Sequence, residues 1–169
     1  MTYILKEGLP YLIWKFTQSK QNPFELRECW VNKKTRNYLK EKVSTNTEVF
    51  EYGGGGSTLY FSDHAKSVDT LETNKEWISK IQSKLIKHNV TFVKQFPNKK
   101  YDLILIDGEG DRVKYFNEAK NHLKPNGIIV FDNIDRYPTN TFPTILFSGY
   151  AKWGAGITHT AIYTKEDLK

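Results

Sequence analysis

The sequence predicts a doubly wound α/β domain with a mostly parallel sheet, an antiparallel C-terminal strand and a shortened C-terminal part. Three observations predict it. From about Val49 onward, short β-rich runs alternate with helical patterns. Two of those runs, Leu103-Ile104-Leu105-Ile106 and Ile128-Ile129-Val130-Phe131, are apolar without alternation, as parallel strands covered on both faces are. Four consecutive glycines, Gly53-Gly54-Gly55-Gly56, follow the first run directly, where such sheets place a ligand-binding turn.

The strands are expected at 48–52, 67–71, 91–96, 101–106 and 128–131. A short helical segment should follow the glycines. Over 74–88, Trp77, Ile81 and Leu85 recur every fourth residue with Ile78 beside them, and Thr73 with Glu76 reads as a capping box. Over 112–123, Val113, Phe116, Ala119 and Leu123 share one helix face, with Asp111 as N-cap and Lys124-Pro125-Asn126-Gly127 as the stop. The first 45 residues read as a cap packed across the sheet edge or over the ligand mouth, with an apolar stretch at 9–16, a turn at Asn22-Pro23 and a polar helix at 35–42. Residues 46–135 form the binding core. Residues 136–169 hold no convincing helix: 142–153 is expected as an aromatic, substrate-facing loop and 160–164 as the last strand.

The chain has 169 residues, enough for one domain over 1–169 with one sizeable core. No apolar run approaches the roughly 20 residues of a membrane span, and the first residues lack a signal-peptide pattern. Cys29 is the single cysteine, which excludes a disulfide framework and a multi-cysteine zinc site and points to a cytoplasmic protein. The net charge of +6 comes mostly from scattered lysines with only four arginines. A nucleic-acid partner is therefore not favoured, whereas a solvated basic surface or an acidic substrate is compatible. The sequence carries no signal of oligomeric state.

The glycine turn separates three cofactor classes. A phosphate loop needs Gly-Lys-Ser/Thr, and no lysine follows these glycines. A dinucleotide fingerprint needs a third glycine or alanine where Thr58 or Leu59 stands. The remaining pattern, acidic-x-Gly-x-Gly-x-Gly/Ser, is filled by Glu51, Gly53, Gly55 and Ser57, and Glu72 closes the next strand 19 positions after Gly53. Together with Tyr101–Ile106 followed by Asp107-Gly108, and 123–133 ending in Asp132-Asn133, this resembles the class I S-adenosylmethionine-dependent methyltransferases, whose fold is Rossmann-like. The resemblance covers about residues 46–135.

The resemblance implies S-adenosylmethionine as cofactor. Backbone at Gly53, Gly54 and Gly55 would lie against its methionine part, Glu51 would reach its amino group through water, and Ser57 or Thr58 its carboxylate. Glu72 would hold the ribose, and Asp107 would border both cofactor and acceptor. Ser57-Thr58 equally suits a helix cap. The loop at Gln95, Phe96 and Pro97 occupies the place where adenine is usually met.

Asp107, Asp132 and Asn133 are the candidate catalytic group, because they end neighbouring strands. They partly resemble the catechol O-methyltransferase branch, in which such a set binds Mg²⁺. The match breaks at Gly110, where that branch carries a lysine base. Three readings stay open: an Mg²⁺ site, a metal-free acidic site that binds substrate or accepts its proton, and loop capping. His64 and His159 are further base candidates. The amino-methylating Asp/Asn-Pro-Pro-aromatic motif and a Pro-Cys nucleophile are both missing from 107–110. That favours O-methylation of a small-molecule or glycan-like acceptor. A non-catalytic binding module and an RNA-modifying methyltransferase are the alternatives.

Overall fold

In the computed structural model, residues 22–151 and 156–168 are described. The elements are α1 (Lys33–Lys42), β1 (Glu48–Tyr52), α2 (Gly56–His64), β2 (Ser67–Leu71), α3 (Lys75–Gln82), β3 (Val90–Phe92), β4 (Tyr101–Ile106), α4 (Arg112–Ala119), β5 (Leu123–Asp132), β6 (Ile145–Tyr150) and β7 (Ile157–Thr164). The sheet has seven strands in the order β3-β2-β1-β4-β5-β7-β6. β1 pairs in parallel with β2 and β4, and β5 joins β4 in parallel. β7 alone runs against its neighbours, antiparallel to both β5 and β6.

The strand sequences explain the layering. Successive side chains leave a strand on opposite faces. Val49, Leu103, Leu105, Ile128 and Val130 therefore pack on one side with Val31, Leu39 and Phe61. Phe50, Ile104, Ile106, Ile129 and Phe131 pack on the other with Phe116 and Ala119 of α4. Both faces are dry, which is why Leu103–Ile106 and 128–131 show no polar alternation. Among the described residues no helix is long and apolar enough to cross a membrane.

Several expected boundaries move. α3 ends at Gln82 rather than residue 88, and its N-cap is Asn74, whose side chain accepts from Trp77 N at 3.0 Å, not Thr73. β3 covers only Val90–Phe92, because Phe96 leaves the sheet to stack on Phe50 at 3.9 Å. α4 starts where expected, with Asp111 accepting from Lys114 N, but gives way at Lys120–His122 to a 3₁₀ turn. Leu123 then already pairs with Tyr101, and the Pro-Asn-Gly stop becomes an irregularity within β5 rather than its boundary.

The largest correction concerns residues 142–153. Instead of a substrate-facing loop, Ile145–Tyr150 is edge strand β6, hydrogen-bonded along its length to β7. Ile145 and Phe147 pack on the core, and Tyr38 of α1 meets Phe147 at 5.5 Å. C-terminal shortening therefore falls on the helices and not on the sheet: among the described residues no helix separates β5 from β6. The apolar stretch 9–16 and Trp153 lie outside the described residues.

Candidate active site

An open cleft of about 730 Å³ lies at the carboxyl ends of β1, β2, β4 and β5. One half is built by the glycine turn. Gly53 has φ of 86°, and a Cβ there would fall 2.3 Å from Gly108 Cα, so the turns after β1 and β4 touch backbone to backbone. Gly56 is as tightly bound, since a Cβ would sit 2.4 Å from Glu28 O. Gly55 differs: a Cβ there would meet nothing within 4 Å, and the residue lines the cleft. The turn is rigid on its outer side and leaves a cradle on its inner side.

Glu72 stands at the end of β2 on the cleft wall. Its Oε2 accepts from Gly54 N at 3.1 Å, and its Oε1 accepts from Thr73 N at 2.7 Å and Asn74 N at 2.8 Å. The carboxylate is thus oriented by three backbone N–H groups before any ligand arrives. Trp77 closes this half by donating from Nε1 to Gly54 O at 2.6 Å, with Phe24 of the N-terminal segment packed on its ring.

Glu51 lies underneath the turn, fully buried, and does not line the cleft. Ser57 and Thr70 hydroxyls each donate to it at 2.8 Å. Burial pushes its carboxyl up to about 7, against the lowering effect of its Thr58, Ser57 and Thr70 hydrogen bonds. Ser57 borders the cleft, while Thr58 is buried and accepts from Gly55 N at 2.8 Å, as a capping residue does.

The other half centres on Arg112, which sequence reasoning treated only as the start of a helix. It is 8% exposed and lines the cleft. Its Nε donates to Gly108 O at 2.9 Å, Nη1 to Asp132 O at 2.8 Å and to Asn133 Oδ1 at 3.3 Å, and Nη2 to Asp107 O at 2.6 Å. Nη2 also lies 3.3 Å from Asp107 Oδ1. One guanidinium therefore ties together the ends of β4 and β5. Its place at the first position of a helix, where the dipole disfavours a solvated cation, is consistent with this role but does not by itself mark a site residue.

Asp107, Asp132 and Asn133 do converge on this cleft. Asp132 is buried, and Thr160 of β7 donates to its Oδ1 at 2.6 Å. Asn32 in turn donates to Thr160 Oγ1 at 3.2 Å, so α1 and β7 both brace the carboxylate. Burial, followed by the neighbouring Asp132, raises Asp107 well above the usual carboxylate range, with Arg112 opposing. Burial likewise raises Asp132, against the Thr160 hydrogen bond and Arg112. Asn133 adopts φ of 56°, a conformation asparagine tolerates better than most residues.

These residues do not fit Mg²⁺. The guanidinium of Arg112 already contacts Asp107 Oδ1 and Asn133 Oδ1, the oxygens such an ion would use, and would repel it. Among the described residues no group of three or more His, Cys, Asp or Glu is arranged to hold a metal. The Mg²⁺ expectation is therefore unsupported. His64 Nδ1 is engaged by Tyr60 O and His159 Nδ1 by Ser148 Oγ, each at 2.8 Å, and neither histidine lines the cleft. Gln95, Phe96 and Pro97 do not line it either; Tyr52, Leu71, Thr73 and Tyr115 do.

A sheet in this order, with a glycine turn after β1 and a carboxylate closing β2, is that of a class I S-adenosylmethionine-dependent methyltransferase. The methyltransferase-domain family matches residues 50–134, and the chain belongs to that family. Similar solved structures include the Streptomyces achromogenes O-methyltransferase TomG, in complex with S-adenosylmethionine (12% identity, 93% of this chain and 96% of that one, TM-score 0.60). An rRNA methylase from Streptococcus thermophilus is also similar (10%, 86% and 98%, TM-score 0.61). So is SMU.1697c of Streptococcus mutans, in complex with S-adenosylhomocysteine (13%, 85% and 98%, TM-score 0.58). No curated protein matches the chain. The protein is an enzyme that uses S-adenosylmethionine.

Proposed function

We propose that this methyltransferase acts on a hydroxyl oxygen of a small-molecule or glycan-like acceptor, without a metal, as a cytoplasmic enzyme. The cofactor half of the cleft suits S-adenosylmethionine: the cradle at Gly55 receives the methionine part and Glu72 accepts from the ribose hydroxyls. Ser57 serves the carboxylate, and Glu51 acts from beneath the turn through Ser57. When bound, S-adenosylmethionine supplies a methyl group on a sulfonium and departs as the neutral thioether.

The observation that carries the oxygen reading is Asp107, a carboxylate on the cleft wall held by Arg112 and backed by Asp132. Asp107 accepts the proton that an acceptor hydroxyl gives up on methylation. Its raised affinity for a proton makes it a stronger base than an ordinary aspartate, provided the pH is high enough for it to be ionised. Arg112 positions the base, and Asn133 the acceptor beside it.

The sign of the pH dependence follows. Activity rises with pH as the Asp107–Asp132 pair loses its proton, above the ordinary aspartate range. Asp132→Asn removes a negative neighbour, so the rising limb moves to lower pH. Single-turnover methylation of a hydroxylated acceptor across pH 4–9, in EDTA and in Mg²⁺, tests this. Equal rates in EDTA and Mg²⁺ are expected; a rate restored only by Mg²⁺ overturns the metal-free reading.

A further inference from the structure

The cleft continues past Asp107 and Asp132 towards Trp30, Ala151, Thr158 and Arg136. Trp30 is 53% exposed although it is a large indole on a cleft wall. It directly precedes Val31 and Asn32, which are fully buried, and Asn32 is anchored to Thr160 and bridged to Ala151. Its position is thus set by the same brace that holds Asp132. Thr158 lies two residues before Thr160 on β7 and therefore on the same face of the sheet. It is 5% exposed and lines the cleft with its Oγ1 turned into the protein, so it shapes this wall without offering a hydroxyl to it.

Arg136 follows Asn133 in the turn after β5, with its backbone N–H donating to Asn133 O at 2.9 Å. Its side chain is exposed on the cleft and makes no hydrogen bond or ion pair among the described residues. Arg112 is consumed by five contacts, so Arg136 is the guanidinium left to face an incoming molecule. The inner end is polar and acidic, with Asp107, Asp132 and Asn133. An acceptor carrying a negative charge can enter only with that charge turned away from the two aspartates, towards Arg136.

We propose that this half of the cleft binds an anionic sugar. A pyranose ring lies on Trp30 and its carboxylate or phosphate pairs with the Arg136 guanidinium, which presents a ring hydroxyl to Asp107. A single exposed indole among polar groups suits the mixed apolar and hydroxylated face of a sugar. The fork of Arg136 suits an oxyanion. This rests on the O-methyltransferase reading for the role of Asp107, but not for binding itself.

The test is titration of the S-adenosylhomocysteine-loaded protein with four probes: glucuronate, glucose 6-phosphate, methyl glucoside and 4-hydroxybenzoate. Glucuronate or glucose 6-phosphate should bind at least tenfold tighter than methyl glucoside, and the better of the two identifies carboxylate or phosphate as the anion. Arg136→Gln should abolish that preference, and Trp30→Ala should weaken every sugar at least fivefold. Both variants should keep wild-type affinity for S-adenosylhomocysteine, which separates a failed subsite from a failed fold. Equal binding of neutral and charged sugars, tighter binding of 4-hydroxybenzoate, binding of no sugar, or an Arg136→Gln variant with unchanged preference overturns the proposal. Failure of the wild type to bind S-adenosylhomocysteine would instead count against the cofactor assignment.

Discussion

At the scale of single residues, the site is a set of buried charges held by named partners. Glu51 is a carboxyl whose proton affinity burial has raised from 4.5 to about 7. Below about 4.5 both folded and unfolded chains hold this proton, so Glu51 contributes no pH dependence there. Between 4.5 and about 7 the unfolded chain loses the proton and the folded one keeps it, so this group makes stability fall as pH rises. Chemical denaturation of wild type and Glu51→Gln at pH 5 and pH 7.5 should show the wild type losing more stability across that interval. Parallel behaviour of the two would remove Glu51 as its source. Glu72 predicts a different phenotype, because its carboxylate braces the turn and, in the proposed function, also accepts from the ribose. Glu72→Ala should fold and bind S-adenosylhomocysteine about 10–100-fold more weakly, the range expected for losing charge-assisted hydrogen bonds. Isothermal titration reads this directly. Arg112 was not legible as a site residue in the sequence, because its role depends on carbonyls and side chains from β4 and β5 that only the fold assembles.

At the scale of elements, the glycine turn makes the sharpest distinction. Gly108 packs its backbone on Gly53 and Tyr52, and an added Cβ would lie 2.8 Å from Gly53 N. Gly108→Ala should therefore cost more than about 2 kcal/mol of stability in a denaturant titration, since backbone rather than a flexible side chain must move. Gly55→Ala should leave stability nearly unchanged, because its Cβ enters open space, and should weaken cofactor binding because that space is the cradle. Strands buried on both faces were readable as continuous apolar runs, and Asp111 was readable as a cap. β6 was not, because Ile145–Tyr150 carries a serine and a glycine and earns strand structure from pairing with β7, a tertiary cause. The overextension of α3 has a similar origin: the Leu85 position continues the helical period, but the chain turns away at Ser83.

At the scale of the whole molecule, the order β3-β2-β1-β4-β5-β7-β6 brings residues far apart in sequence to one edge of the sheet. Glu72, Asp107 and Asp132 end neighbouring or near-neighbouring strands, which is why their spacing in the sequence already located the cleft. The wall proposed for the acceptor was less legible, because Trp30, Thr158 and Arg136 come from the N-terminal segment, β7 and the turn after β5 and carry no motif. Every claim about catalysis depends on the glycine turn seating the cofactor on its inner side. The most direct measurement is calorimetric titration of wild type and Gly55→Ala with S-adenosylhomocysteine, each with and without Mg²⁺. Micromolar binding to wild type is expected, with at least tenfold weaker binding to an equally stable Gly55→Ala and no effect of Mg²⁺ on either. Absence of binding to wild type, or equal affinity in the variant, would contradict this seating of the cofactor.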